Sequence, residues 1–172
     1  MSSPSSAACR SPSAHRYLTF WIDREVYGVP VLGVREIIRL PEITRVAQLP
    51  GHVRGVLNLR GRIIPVIDMR RRFGLAASDD HGRTCVVVVE VSAAGQGSVP
   101  MGLVVEAVDD VVQIGVDEIG DTPEFGGQVD TSFLFGLAKV KGAVIALLDL
   151  ERALRGVSSA PTLFGAAAHS HF

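Results

Sequence analysis

The chain has few of the residues on which covalent, metal or membrane functions depend. It holds two cysteines among 172 residues. Cys9 lies in a polar leader and Cys85 opens a Val-rich run, so neither belongs to a disulfide framework. Cys85 reads as a small core hydrophobe, and a reducing cytosol fits best. Aromatics make up 6% and the formal net charge is −1. That leaves no basic, aromatic-bearing face for nucleic acid, and no field that would attract a polyanion. No apolar run approaches the roughly 20 residues of a spanning helix. The N-terminus is rich in Ser, Pro and Ala with no apolar core, so neither a secretory signal nor direct membrane insertion is expected.

Catalytic groupings are equally scarce. Of the five histidines, His15, His81, His169 and His171 lie in termini or in a connector, and His52 sits in a Pro-Gly loop. His169 and His171 make a poor metal site on their own. Cys85 has no basic neighbour in sequence to activate it. There is no Gly-Lys-Ser/Thr phosphate loop and no dinucleotide fingerprint. No trio of nucleophile, base and orienter emerges. The expectation is no catalytic residue, no cofactor and no metal.

What the chain does have is hydrophobic content of 47% against 20% charged, enough for a sizeable core. Its organising stretch is Gly55-Val-Leu-Asn-Leu-Arg-Gly-Arg-Ile-Ile-Pro-Val-Ile-Asp-Met69. Leu57 and Leu59 alternate with Asn58 and Arg60, which predicts a half-buried strand. Gly61 supplies the positive φ of a two-residue hairpin turn. Residues 63–67 form the return strand, with Pro65 pointing to an edge or a bulge. Asp68 is placed to cap a short helix, and Gly74 to end it.

The same plan recurs in Gly136-Leu-Ala-Lys-Val-Lys-Gly-Ala-Val-Ile-Ala-Leu-Leu-Asp-Leu150. Gly55, Gly61 and Asp68 each return 81 residues later as Gly136, Gly142 and Asp149. A weaker match relates residues 28–37 to residues 102–111, at an offset of 74. Two copies of this length make a tandem of related β units rather than a solenoid.

In chain order, residues 1–15 read as a disordered leader. Residues 17–22 and 26–31 read as strands. Val31, Val34, Ile37 and Ile38 fall at helical spacing, predicting a short helix that carries Arg35 and Glu36 on its open face. Pro41 ends it, and residues 43–46 read as a strand. Residues 76–82 form a polar connector. Residues 84–91 are almost unbroken in their apolar character, which predicts a strand buried on both faces near the seam of the two units. Residues 99–105, 108–114, 133–140 and 143–148 are further strands, and 117–130 a long loop. A helix follows Asp149, and residues 156–172 form a loose tail.

Arg60 stands outward at a hairpin tip inside an apolar segment. It is either a solvated turn charge or a recognition residue. The run Arg70-Arg71-Arg72 reads as a solvated helix end. Val34 and Glu36 look ordinary, a core contact and a surface acid.

Residues 27–37, 55–70, 102–111 and 135–150, in this order and spacing, resemble the CheW-like chemotaxis coupling proteins. The resemblance spans about residues 16–155. It implies a mainly β fold of two SH3-like five-stranded barrels on a shared apolar seam, with short helices, one near the C-terminus. A single domain of this kind would divide into subdomains at about 16–75 and 83–155.

The implied function is a non-catalytic adaptor. It would couple chemoreceptor cytoplasmic tips to the CheW-like regulatory domain of a CheA-type histidine kinase, in signalling arrays on the inner face of the membrane. The alternative is a CheW-like adaptor of a non-flagellar pathway, for surface motility or second-messenger control. Carried over by motif, Val34, Glu36, Asn58 and Arg60 fall at partner-binding positions. Gly55, Thr84, Cys85, Gly102 and Val111 fall at positions lining or supporting the groove between the barrels. On that reading Arg60→Ala weakens coupling and leaves the fold intact.

Overall fold

Runs of Val and Ile that alternate with polar residues favour pleated strands, and most of the chain takes that form. The computed structural model describes residues 14–48, 51–76, 80–93, 97–121 and 131–154. Residues 1–13 of the predicted leader, the tail and most of the 117–130 loop lie outside the described residues, while residues 14 and 15, also expected in the leader, open strand β1. The strands are β1 (Ala14–Ile22), β2 (Glu25–Pro30), β3 (Val34–Arg39), β4 (Val53–Leu59), β5 (Arg62–Asp68) and β6 (Cys85–Ala93). They continue as β7 (Gly97–Val105), β8 (Ala107–Gly115), β9 (Ile119–Gly120), β10 (Leu134–Val140) and β11 (Ala143–Leu148). Two short helices, α1 (Met69–Arg72) and α2 (Leu150–Ala153), follow β5 and β11.

One sheet has the order β3-β6-β7-β5-β4, the other β8-β1-β2-β11-β10-β9. We call the first barrel 1 and the second barrel 2. The sixth strand of barrel 2 is the two-residue β9. Barrel 1 is contiguous in sequence, whereas barrel 2 combines the N-terminal hairpin with the C-terminal strands. Each barrel thus takes a hairpin from outside its own repeat unit: β6-β7 joins β3, β4 and β5, and β1-β2 joins β8 to β11. The parallel pairings make the exchange visible. Gly28 of β2 lies opposite Leu147 of β11, and Gly102 of β7 lies opposite Val66 of β5. Gly28 and Gly102 are the residues of the weaker repeat, while Val66 and Leu147 belong to the stronger one. One approximate two-fold relation therefore generates both offsets.

Strand β6 is the hinge of the packing. Val86 and Val88 fill barrel 1 together with Leu57, Ile64, Val66 and Val104. Val87, Val89 and Val91 face the opposite way, into the seam between the barrels. Burying each such valine contributes about 1.5–3 kcal/mol, so a strand with two apolar faces is a large share of the core. Phe73, just after α1, stacks between Tyr27 of β2 and Phe133 at ring distances of 5.0 and 5.9 Å. Arg72 lies over the Phe133 ring and donates to the carbonyl of Ala153. Barrel 1 is thereby held to barrel 2 through aromatic contacts and charge-assisted bonds, to which Arg70 of α1 adds one at 3.3 Å to Asp23 in the β1–β2 turn.

Three sequence expectations change. Residues 34–39 form strand β3 and not a helix. Only Val31–Gly33 winds, as a single 3₁₀ turn, and the strand then alternates half-buried Val34, Glu36 and Ile38 with exposed Arg35, Ile37 and Arg39. The helical spacing arises because that turn precedes a strand of β-branched residues with a bulge between Val34 and Glu36. Residues 43–46 form no strand, only the bridge of Thr44 to Val56. Strand β5 is interior, so of the two alternatives for Pro65 the edge fails, while a bulge does lie close by, where β4 shifts register between Val53 and Gly55. Pro65 is tolerated because the ladder to β7 begins only at Val66.

Candidate functional site

The β4–β5 turn places the most exposed of the candidate side chains. Arg60 and Gly61 have φ of 52° and 88°. Both values are positive, as in a type I′ turn, whose twist suits a hairpin. A non-glycine residue at positive φ needs local support. Asn58 gives it: its Oδ1 accepts the Gly61 N–H at 2.9 Å. This hydrogen bond commits Asn58 to shaping the tip. Arg60, so held, reaches across to β3. Its Nη1 donates to Glu36 Oε2 at 2.6 Å and its Nη2 to Oε1 at 2.8 Å.

Strands β3 and β4 lie at opposite edges of the barrel 1 sheet. The two-pronged ion pair therefore spans the barrel's open side. Two backbone hydrogen bonds between Thr44 and Val56, of 2.9 and 2.8 Å, close the same side further along. The Arg60 side chain is 72% exposed and that of Glu36 26%. The hydrogen bonds from Arg60 hold the Glu36 carboxyl below its ordinary pKa, and Glu36 in turn raises that of Arg60. Both groups stay charged across the physiological range. An exposed pair of this kind adds little to folding stability. It presents an exposed set of donors and acceptors.

The remaining candidates fall into two groups. Val34 is half-buried beside Val89 and packs on the seam cluster. The bulge between Val34 and Glu36 turns Glu36 to the other side, opposite Val88, which faces barrel 1. Gly55, Thr84, Cys85 and Gly102 have structural surroundings. A Cβ on Gly55 would meet the Thr44 carbonyl oxygen at 2.2 Å, so the crossing that closes barrel 1 requires glycine there. A Cβ on Gly102 would meet Val86 Cγ1 at 2.8 Å. The buried Thr84 hydroxyl accepts the His81 N–H at 2.9 Å. Cys85 pairs with Arg39 and Val105, and burial pushes its thiol up, away from reactivity. Val111 is exposed on β8, in the barrel 2 sheet, opposite Leu18. It shares no sheet with Arg60.

Sequence reasoning passed over several exposed apolar residues. Ile37 and Ile63 are 45% and 40% exposed, beside Glu36 and opposite Asn58. Their repeat counterparts Val111 and Val144 are also exposed. Applying the offsets of 74 and 81 to these positions would have found them, since both copies keep an apolar residue on an outward face. Leu32 is almost fully exposed on the 3₁₀ turn before β3. Among the described residues, no group of three or more His, Cys, Asp or Glu side chains is placed to hold a metal ion. No helix among them is long and apolar enough to cross a membrane.

Comparison with known proteins gives this geometry a family. The model of the CheW-like domain matches residues 16–158. The chain is 34% identical over 138 residues to the chemotaxis protein CheW of Klebsiella aerogenes, covering 80% of each protein. It is 30% identical to the chemotaxis protein CheW of Rhizobium meliloti over 134 residues, 78% of this chain and 83% of that one. The crystal structure of the scaffolding protein TtCheW from Thermoanaerobacter tengcongensis superposes with a TM-score of 0.71 at 32% identity, covering 82% of this chain and 88% of that one. The chain belongs to the CheW-like domain family.

Proposed function

We propose that this protein is a non-catalytic chemotaxis adaptor that couples chemoreceptor cytoplasmic tips to the CheW-like regulatory domain of a CheA-type histidine kinase. Its place would be the signalling array at the inner face of the membrane. Family membership supports the adaptor role, and the solved relative is itself described as a scaffolding protein. The observation that carries the reading in this chain is the exposed Glu36–Arg60 fork on the rim of barrel 1. Arg60 offers a geometrically demanding bond to a carboxylate or a helix-end carbonyl, and Glu36 an acceptor beside it. The exposed Ile37 and Ile63 add apolar area at the same rim. A charged fork with apolar neighbours suits a helical partner that docks by one face.

In this reading Val34 anchors the start of β3 on the seam ahead of Glu36, Asn58 holds the turn, and Gly55 and Gly102 permit the close strand crossings. The test is binding of a receptor cytoplasmic fragment and of the kinase regulatory domain, with wild type beside Arg60→Ala. Wild type is expected to bind both. The variant is expected to lose about tenfold or more for at least one of them, with an unchanged melting temperature. Failure of wild type to bind either partner would overturn the adaptor reading. Equal binding by the variant would remove the site from the rim of barrel 1.

A further inference from the structure

Away from the Glu36–Arg60 rim, the outer corner of barrel 1 holds a cavity of about 350 Å³ lined by Leu40, Pro41, Ile43, Arg45, Arg54, Arg71 and Asp80. We propose that it is a binding site for a small phosphate monoester with an apolar or planar body. The inference goes beyond the adaptor reading and does not depend on it.

The three guanidinium groups come from separate elements: the loop after the Thr44 bridge, strand β4 and helix α1. Arg54 is a fixed wall. It donates to both oxygens of Asp80 at 3.1–3.2 Å and to Asp68 Oδ2 at 2.8 Å. Arg71 is held loosely, by one 3.3 Å bond to the Gly51 carbonyl and a 3.7 Å approach to Asp68. Arg45 is exposed and has no hydrogen bond or ion pair among the described residues. Among the described residues three cations face two carboxylates, which leaves a positive charge carried by the two arginines with donors to spare. Arginine's planar fork matches phosphate oxygens. Leu40, Pro41 and Ile43 give an apolar surface for the rest of the ligand. The volume is at the small end of ligand sites.

The repeat supplies an internal control. Thr44 lies opposite Val56 as Gly120 lies opposite Leu137, so the residue that follows each is equivalent, and the counterparts of Arg45 and Arg54 in barrel 2 are Asp121 and Phe135. Phe135 packs its ring toward Tyr17, while Arg152, the counterpart of Arg71, keeps the equivalent approach to Asp149 at 3.5 Å. Among the described residues the other corner keeps one arginine where barrel 1 has three, so barrel construction does not require Arg45 and Arg54.

The probes are adenosine 5′-monophosphate, inorganic phosphate and adenosine, titrated into the full chain with NMR detection of the arginine side-chain N–H signals. The monophosphate is expected to shift Arg45 and Arg71 saturably, with a millimolar or tighter Kd. Inorganic phosphate should shift them more weakly, and adenosine not at all. Arg45→Ala, on an exposed loop, should weaken the monophosphate about tenfold, and Arg45→Ala with Arg71→Gln should abolish binding. If Arg71→Gln proves unstable, the single variant carries the test. No saturable shift from either phosphate, equal binding by adenosine, or unchanged affinity in Arg45→Ala would overturn the proposal. So would tighter binding of a hexaglutamate peptide, which would make the corner a protein-docking surface.

Discussion

The two barrels share a backbone plan down to single hydrogen bonds, and they differ in how their rims are charged. The N–H of Asp68 donates to the His52 carbonyl at 2.8 Å, and that of Asp149 to the Phe133 carbonyl at 2.8 Å. Each aspartate then caps the helix that follows. Arg60-Gly61 and Lys141-Gly142 adopt nearly the same turn, with φ of 52° at both cations. Glu36 and Asp110 follow equivalent bulges, at Arg35 and Asp109. Only barrel 1 joins its acid to its base. Asp110 turns back to the N–H of Val111 at 2.8 Å and makes no ion pair with Lys141 among the described residues. A carboxylate one methylene shorter and a point-charge ammonium in place of a fork explain the gap. The fold therefore does not need the rim pair, and its presence on one barrel alone marks a chemical specialisation of that rim.

The largest expected effect tests the shared plan. Gly55→Ala drives a methyl into the Thr44 carbonyl at 2.2 Å, whereas Gly136→Ala meets the Ile119 side chain at 2.4 Å and the Gly120 carbonyl at 3.0 Å. Backbone yields less readily than a side-chain methyl. Gly55→Ala is expected to lose about 3 kcal/mol in urea unfolding and Gly136→Ala about 1–2 kcal/mol. Equal losses would show that the two crossings are equivalent.

Much of this plan was legible in sequence. The hairpins, the caps at Asp68 and Asp149 and the doubly buried β6 follow from turn glycines, capping aspartates and an unbroken valine run. The interleaving of the halves was not legible. Offsets report which segments are alike, and they say nothing about which hairpin enters which barrel. Strand β3 was misread because a 3₁₀ turn running into a bulged strand mimics helical spacing. At the site, Glu36 and Arg60 were both singled out, but their contact depends on the curl of a sheet whose edge strands are β3 and β4. Asn58 read as an outward residue, and the structure adds a turn-shaping hydrogen bond that the sequence pattern did not disclose.

A smaller effect is expected from pH. The counterpart of Phe133 in barrel 1 is His52, whose Nε2 is buried without a hydrogen-bond partner among the described residues. Burial, with help from Arg72, pushes its pKa below the ordinary 6.5. The unfolded chain then binds a proton more readily than the folded one, so stability rises with pH across this window. As pH falls from about 6.5 toward the lowered folded value, the urea midpoint should drop. His52→Phe, which copies barrel 2, should flatten that slope. An unchanged slope would assign it to other groups.

The smallest effect sharpens the contrast of the rims. Asp110→Glu with Lys141→Arg should create in barrel 2 the fork that barrel 1 has. The carboxyl at position 110 should then titrate below its ordinary value by NMR, with little change in stability. An unshifted titration would mean that backbone curvature, and not side-chain length, separates the two barrels.

The most direct test of the rim of barrel 1 as a docking element is the charge swap Glu36→Arg with Arg60→Glu. Melting temperature and binding to the receptor fragment and the kinase regulatory domain would be measured together. If the pair serves docking, the swapped protein melts with wild type, because the internal attraction is kept. It should bind at least one partner about tenfold or more weakly, because that partner now meets reversed charges. Wild-type binding by the swapped protein would contradict the docking role and leave the pair as an internal clasp.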